Sequence, residues 1–100
     1  MDPDLPSFMI ADVVRSTAGR DEGSLYYVIE VNEPYLLLVN GKDRSIEKPK
    51  RKKCKHTIMV LRPDTRVAEK LRSGEKVLSS EIRKDLAYLS RTMQENDLGG

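Results

Sequence analysis

The sequence is poor in the residues that cross-link or metal-bind small proteins. Its 100 residues include one cysteine, one histidine, one phenylalanine and no tryptophan. A lone cysteine cannot form an intrachain disulfide, which small extracellular domains usually need, so we expect a reducing, cytoplasmic setting. A structural zinc site needs about four ligands, usually cysteine or histidine, and only Cys54 and His56 are present. We therefore expect no cofactor and no metal site.

Long apolar stretches are also missing. The longest run, YLLLV at residues 35–39, is far shorter than the roughly 20 residues needed to span a bilayer. The first residues, MDPDLPSFMIADVV, carry acidic side chains where a secretory signal has basic ones. We therefore expect no membrane partner and no secretory leader.

Positive charge is concentrated in one place. The formal net charge is +2, yet residues 42–56 contain eight lysines and arginines against Asp43 and Glu47. This basic stretch, which includes KPKRKKCKH, therefore carries six excess positive charges, and the rest of the chain carries a net charge of −4. A phosphate polyanion responds to charge within a Debye length of about 8 Å, so the basic stretch is a candidate phosphate-binding surface. A solvated loop and a sorting signal are the alternatives.

Turn signals at short intervals divide the first part of the chain into short strands. β-Branched and aromatic residues predict five strands, at residues 10–16, 25–31, 35–39, 44–47 and 57–61. Asn40-Gly41 predicts a type I′ turn between the third and fourth strands. Pro49 cannot donate to a sheet ladder, so the basic stretch is expected in a loop or at a sheet edge. The pattern predicts a mainly β fold containing a small antiparallel barrel.

The last part of the chain has helical periodicity. One short α-helix is predicted around residues 67–73, ended by Ser73-Gly74, and a second is predicted to begin at Ser80. The second helix carries an apolar stripe formed by Ile82, Leu86, Leu89 and Met93. We expect this stripe to pack on the barrel; an exposed stripe would instead be a protein interface. The predicted division is a barrel domain at residues 1–62 and a helical extension at residues 63–98.

The run VVRSTAGRDEGSLYYVIEV, followed by YLLLVNG, resembles the KOW motif, a strand, glycine loop, strand unit of ribosomal and transcription-associated proteins. Gly23 lies where that motif has its key glycine. Through DRSIEKPKRKKCKH, the chain is similar to bacterial KOW-domain RNA-binding proteins, relatives of archaeal and eukaryotic large-subunit ribosomal proteins. The resemblance covers about residues 9–61. It implies an SH3-like barrel of about five strands that binds ribosomal RNA.

The resemblance also implies which residues face the RNA. In the first loop the candidates are Ser16, Gly19, Arg20, Asp21 and Gly23. In the basic stretch they are Lys42, Arg44, Lys48, Lys50, Arg51, Lys52, Lys53, Lys55 and His56. The chain departs from the family pattern in two places, because Ala11 replaces a glycine ahead of the first strand and Glu22 and Ser24 replace basic residues. The first loop is therefore expected to be the weaker phosphate ligand.

No constellation of catalytic residues is present. Cys54 and His56 lie two residues apart, and their plain interpretation is a cysteine and a histidine in a basic segment, although neighbouring cations would favour the thiolate. We expect a non-enzymatic RNA-binding protein with no small-molecule substrate, whose partners are ribosomal RNA and ribosomal proteins. The alternative is a protein–protein interaction barrel in transcription or translation, which would use a sheet edge or the apolar stripe.

Aromatic side chains offer a second mode of RNA contact. The four tyrosines, at positions 26, 27, 35 and 88, could stack on unpaired bases. Small barrels bury most such residues, so at least two tyrosines are expected in the core.

Overall fold

A computed structural model describes the backbone of residues 7–99 and the side chains of residues 7–94. Over this range the chain forms one five-stranded antiparallel sheet followed by two α-helices. The elements are β1 (Val13–Ser16), β2 (Leu25–Asn32), β3 (Tyr35–Val39), β4 (Lys50–Lys53), β5 (Thr57–Leu61), α1 (Arg66–Ser73) and α2 (Ser79–Gly99). The strand order across the sheet is β4-β3-β2-β1-β5. The predicted small, mainly β fold with C-terminal helices is confirmed.

The fourth strand lies elsewhere than predicted. Residues 44–47 belong to a loop spanning residues 40–49, and β4 forms later, within the basic stretch. The reason lies in Asn40, whose side-chain oxygen accepts hydrogen bonds from the backbone N–H groups of Lys42 (2.9 Å) and Arg44 (3.0 Å). This local closure competes with the two-residue hairpin turn that Asn40-Gly41 suggested. Strand β4 lies at the sheet edge, as Pro49 indicated.

Apolar side chains cover both faces of the sheet. The helix-facing core joins the sheet to α1 and α2; its buried members are Ala11, Val13, Tyr27, Val39, Ala68, Val77, Ile82, Leu86 and Leu89. The opposite core lies on the other face, and its buried members are Val14, Tyr26, Val28, Leu36 and Leu38. Strands buried on both faces explain why the sequence of β2 shows no clean alternation of apolar and polar residues.

Strand β2 changes face part of the way along its length. The pairing of β2 with β3 shifts register between Val28 and Glu30, so Ile29 forms an irregularity in the ladder. Ile29 packs against the helix-facing core, whereas Val31 packs against the opposite core. A strict two-residue alternation would put Ile29 and Val31 on the same face, but an extra residue in a ladder reverses the alternation beyond it.

The helices begin and end at local signals. Thr65 caps α1 by accepting a hydrogen bond from the Ala68 N–H, and Gly74 ends the helix in the left-handed conformation, with φ of 77°. Helix α2 runs for 21 residues and is longer than the short helix predicted. The stripe residues Ile82, Leu86 and Leu89 are buried against the sheet, as expected. Neither described helix has the apolar character needed to cross a bilayer.

Two further contacts hold α2 in place, one to β2 and one to the loop at residues 40–49. The hydroxyls of Tyr27 and Thr65 both donate hydrogen bonds to the Asp85 carboxylate, which ties β2, the start of α1 and α2 together. Gly41 supports the second contact, because a Cβ atom there would lie 2.2 Å from the Ser79 carbonyl oxygen and 2.7 Å from the Arg83 nitrogen. The loop at residues 40–49 therefore packs backbone to backbone against the first turn of α2.

Candidate nucleic-acid interface

Strand β4 consists entirely of lysine and arginine, KRKK. It pairs with β3 alone, with Leu36 opposite Lys52 and Leu38 opposite Lys50. Because side chains alternate along a strand, Lys50 and Lys52 share the face of the opposite core, while Arg51 and Lys53 point to the other face. The alternation gives the four cations two different environments.

Lys50 and Lys52 are bound by Asp21 of the first loop. The Asp21 carboxylate lies 2.9 Å from Lys52 Nζ and 3.3 Å from Lys50 Nζ. It also accepts hydrogen bonds from the Ser16 hydroxyl (2.9 Å) and the Tyr26 phenol (2.8 Å). Burial acts to raise the pKa of the Asp21 carboxyl, but these four donors outweigh it and hold that pKa well below its ordinary value. Asp21 is therefore an ionised anchor for the lysines.

The glycine loop, residues 17–24, folds around this anchor. Gly19 and Gly23 have φ of 90° and 92°, a region that residues with a Cβ rarely adopt. A Cβ atom on Gly23 would meet nothing within 4 Å, so at this position glycine serves the turn and leaves the adjoining space open. Ser16 is 1% exposed, and its hydroxyl donates a hydrogen bond to the Asp21 carboxylate. Arg20 is the cation among the candidates of the first loop, and its side chain is exposed.

The other face of β4 is open to solvent. Arg51 and Lys53 are exposed, and the Arg51 guanidinium carbon lies 4.1 Å from the centre of the Tyr35 ring. A guanidinium on an aromatic face is held by a cation–π contact while its outer face stays accessible. Tyr35 is half-buried, and Tyr26 and Tyr27 are buried, which confirms that at least two tyrosines lie in the core. The sequence named Arg51 and Tyr35 separately as candidates, and the structure shows that the two side chains stack on each other.

The chain after β4 turns back toward the glycine loop. Residues Cys54–His56 form one turn of 3₁₀ helix, with Lys55 exposed and His56 half-buried. The His56 carbonyl accepts a hydrogen bond of 2.9 Å from the Thr17 N–H, so this turn lies beside the start of the glycine loop. Burial, with a smaller contribution from Glu33, raises the pKa of the Cys54 thiol. The expectation that neighbouring cations favour the thiolate is wrong, because burial and a nearby carboxylate act against it.

A cleft of about 400 Å³, here called the basic groove, lies between the glycine loop and the loop at residues 40–49. Its lining residues are Arg20, Asp21, Ser24, Tyr26, Asn40, Asp43, Arg44 and Lys50. The groove thus brings together four candidates from separate parts of the chain, Arg20, Asp21, Arg44 and Lys50, which spacing alone could not show. Lys42 and Lys48 are exposed elsewhere on the same loop, and neither lines this groove.

Within residues 7–94, no three side chains of the metal-binding types come together. No protein-family model matches the chain, and no curated protein matches it. The resemblance to KOW-domain proteins therefore stays a prediction from the residues quoted above.

Proposed function

We propose that this protein is a non-enzymatic, cytoplasmic RNA-binding protein that binds ribosomal RNA through β4, the turn after it and the glycine loop. One observation carries the proposal: an edge strand made only of lysine and arginine lies directly beside a glycine loop that presents a further arginine. Phosphate contacts of this kind supply affinity and fix orientation, whereas they read little sequence.

We further propose that the sheet belongs to a small SH3-like barrel. The strand order and the burial of both sheet faces support this interpretation. In such a barrel the glycine loop and the loop before β4 would lie at one end. The RNA would then meet these loops and the edge strand β4, where Arg51 and Lys53 are open to solvent.

The exposed cations would contact RNA phosphates, and a stacking surface beside them would contact an unpaired base. Arg51, Lys53 and Lys55 are exposed and can each neutralise a phosphate, with release of its counterions. The guanidinium of Arg51, supported by Tyr35, offers a plane on which an unpaired base can stack. A loop or bulge of structured RNA combines both features, because it presents phosphates together with unstacked bases.

The protein–protein alternative has less surface available to it than the sequence suggested. Ile82, Leu86 and Leu89, three residues of the apolar stripe, pack in the helix-facing core. A sheet edge remains open to that alternative, but the edge at β4 carries only cations. We therefore favour a polyanionic partner.

The test is RNA binding by a variant that loses only exposed cations. In the triple variant Arg51→Gln, Lys53→Gln, Lys55→Gln, we expect the affinity for ribosomal RNA fragments to fall by about tenfold or more at moderate salt. The slope of log K against log salt should become less steep by about 2, since each phosphate contact on single-stranded RNA contributes about 0.7. Binding would be measured across about 50 to 300 mM salt, with duplex DNA as competitor.

The matched control changes three exposed cations of α2. Arg83→Gln, Lys84→Gln, Arg91→Gln alters the net charge equally but leaves the proposed surface intact. We expect this control to retain most of the RNA affinity. Equal losses in both variants, or equal competition by every polyanion, would show that the basic stretch contributes generic charge and would contradict the proposal.

A further inference from the structure

The basic groove is a concave part of the charged surface. Its cations come from the glycine loop (Arg20), the loop at residues 40–49 (Arg44) and β4 (Lys50). A volume of about 400 Å³ admits a phosphate group with part of its sugar. Three cations that line one cleft suit a compact anion better than the same charges on a flat surface would, because more than one of them can contact the same anion.

Two of the three cations are not paired with any side chain that the structure describes. Among the side chains of residues 7–94, the Arg20 and Arg44 guanidinium groups form no salt bridge, in contrast to Arg62, which pairs with Asp12 at 2.7 Å. A guanidinium presents a rigid fork of donors that matches phosphate oxygens. Arg20 and Arg44 are thus available to an anion without breaking an existing ion pair.

Contacts within the protein hold both walls of the groove. Asp21 holds Lys50 at 3.3 Å on one side. On the other side, the Asn40 side-chain oxygen accepts two backbone hydrogen bonds, and Gly41 packs on the first turn of α2. A site whose walls are already held by internal contacts loses less freedom on binding, so few contacts can give measurable affinity.

We propose that the basic groove binds a single phosphate group of an RNA chain, with Arg20 and Arg44 as its hydrogen-bond donors and Lys50 as a fixed positive charge. This inference rests on the proposed function and adds the location of one discrete phosphate site. Two carboxylates also line the groove and oppose the anion. Asp21 already pairs with Lys50, and Asp43 accepts a hydrogen bond from Asn40 Nδ2 at 2.7 Å. The phosphate can be an internal diester or a terminal monoester, since both present anionic oxygens.

The first experiment titrates the protein with inorganic phosphate and follows backbone amide signals by NMR. We expect saturable shifts at Arg20, Ser24 and Arg44, and their loss in the double variant Arg20→Gln, Arg44→Gln. The control Lys84→Gln, Arg91→Gln removes the same charge from α2 and should retain the shifts. Phosphate shifts that are spread over the basic stretch, or that persist in the Arg20→Gln, Arg44→Gln variant, would overturn the assignment.

A second variant tests the site by a gain of affinity. Asp43→Asn keeps the side-chain volume and the oxygen that accepts from Asn40 but removes the negative charge beside the groove. We expect phosphate to bind several-fold more tightly, because a like charge close to the anion is removed. Unchanged or weaker binding in a folded Asp43→Asn protein would contradict the proposed position of the phosphate.

Binding experiments with two RNAs distinguish a terminal phosphate monoester from an internal phosphate diester. A short RNA with a 5′-phosphate is compared with the same RNA ending in a 5′-hydroxyl, using wild type and Arg20→Gln, Arg44→Gln. A loss confined to the 5′-phosphorylated RNA identifies a terminal monoester, and an equal loss for both RNAs identifies an internal diester. If the double variant binds both RNAs as wild type does, the groove inference fails while the proposed function stands. If wild type binds no RNA, the proposed function fails and the phosphate titration alone decides the groove.

Discussion

The Asp21 side chain links the glycine loop to β1, β2 and β4. It belongs to the glycine loop, yet its carboxylate holds Lys52, 31 residues later in the sequence, and it also holds Lys50. The same carboxylate accepts hydrogen bonds from the hydroxyl groups of Ser16, in β1, and Tyr26, in β2. Replacing Lys52 therefore tests the fold as well as RNA binding, which is why the variant proposed above spares Lys50 and Lys52.

Asp21 should make the protein sensitive to acid. Its pKa is lower in the folded protein than the ordinary value of 3.8, so its stabilising effect is complete above that pH and is lost as the pH falls below it. Asp21→Asn should lower the free energy of unfolding by about 3 kcal/mol at pH 7, since it leaves two lysines without their counter-charge. The difference between wild type and variant should shrink below the ordinary pKa.

Urea unfolding followed by circular dichroism measures this difference, because the chain has no tryptophan to report on unfolding. Series at neutral pH and well below the ordinary pKa of 3.8 are compared. A stability difference of the same size at both pH values would show that Asp21 acts by shape and not by charge.

Gly41 and Gly74 allow a direct comparison between two glycines. Both have positive φ, 73° and 77°, so a Cβ atom at either site carries a similar backbone cost of about 1 kcal/mol. Only at Gly41 would the Cβ atom collide with backbone, 2.2 Å from the Ser79 carbonyl oxygen. We expect Gly74→Ala to cost about 1 kcal/mol and Gly41→Ala to cost at least about 3 kcal/mol, because α2 must move. Thermal unfolding of both variants gives the comparison, and equal costs would refute the packing of α2 on Gly41.

At the scale of elements, β4 is a strand that its own sequence disfavours. Lysine is depleted in strands, and four adjacent cations repel one another. Three circumstances make the strand possible: it has only one neighbouring strand, alternation sends its charges to opposite faces, and Asp21 compensates one of those faces. A cationic edge strand also discourages pairing with other chains, because lysines there block edge-to-edge association.

The helices are joined to the sheet by a buried polar contact as well as by apolar packing. Tyr27 is fully buried, and its hydroxyl donates to the Asp85 carboxylate on α2. Burial, followed by the hydrogen bond to Asp85, raises the pKa of the Tyr27 phenol above its ordinary value. The phenol therefore stays protonated and can keep donating to Asp85 across the neutral pH range.

We expect Tyr27→Phe to lower the free energy of unfolding by about 1.5 to 3 kcal/mol, because a partly buried carboxylate loses a donor. The control is Tyr88→Phe, since Tyr88 is 56% exposed on α2 and should change stability by no more than about 0.5 kcal/mol. Chemical denaturation of the two variants measures the difference. Equal effects would mean that the Tyr27 hydroxyl does not hold α2 on the sheet.

At the scale of the whole molecule, the sequence predicts what local signals determine. Strands β2, β3 and β5 and both helices follow from runs of β-branched residues, helical spacing and the Ser73-Gly74 stop, and all are present. Strand β4 was misplaced because Pro49 and the charge density argue against a strand, while the compensating Asp21 lies far away in the sequence. The change of face at Ile29 was missed for a related reason, since an irregularity in a ladder depends on the partner strand.

The candidate site could also be predicted only in part from the sequence. Clustered charge predicted a phosphate surface along the basic stretch, but charge alone does not show which lysines are already paired. The convergence of Arg20, Arg44 and Lys50 depends on the tertiary fold, as does the stacking of Arg51 on Tyr35. Asn40-Gly41 correctly indicated a turn beside the groove, although the hydrogen bonds of the Asn40 side chain to Asp43, Lys42 and Arg44 give that turn a different form.

The alternation along β4 makes neighbouring lysines chemically unequal. The side chain of Lys52 is 10% exposed and bonds to Asp21 and to the Ala18 carbonyl, whereas the adjacent Lys53 is exposed. An acetylating reagent should therefore react readily with Lys53 in the native protein and reach Lys52 only when the sheet edge opens. Acylation of Lys53 would adjust the affinity for a polyanion, and acylation of Lys52 would record how often the edge strand separates from the glycine loop.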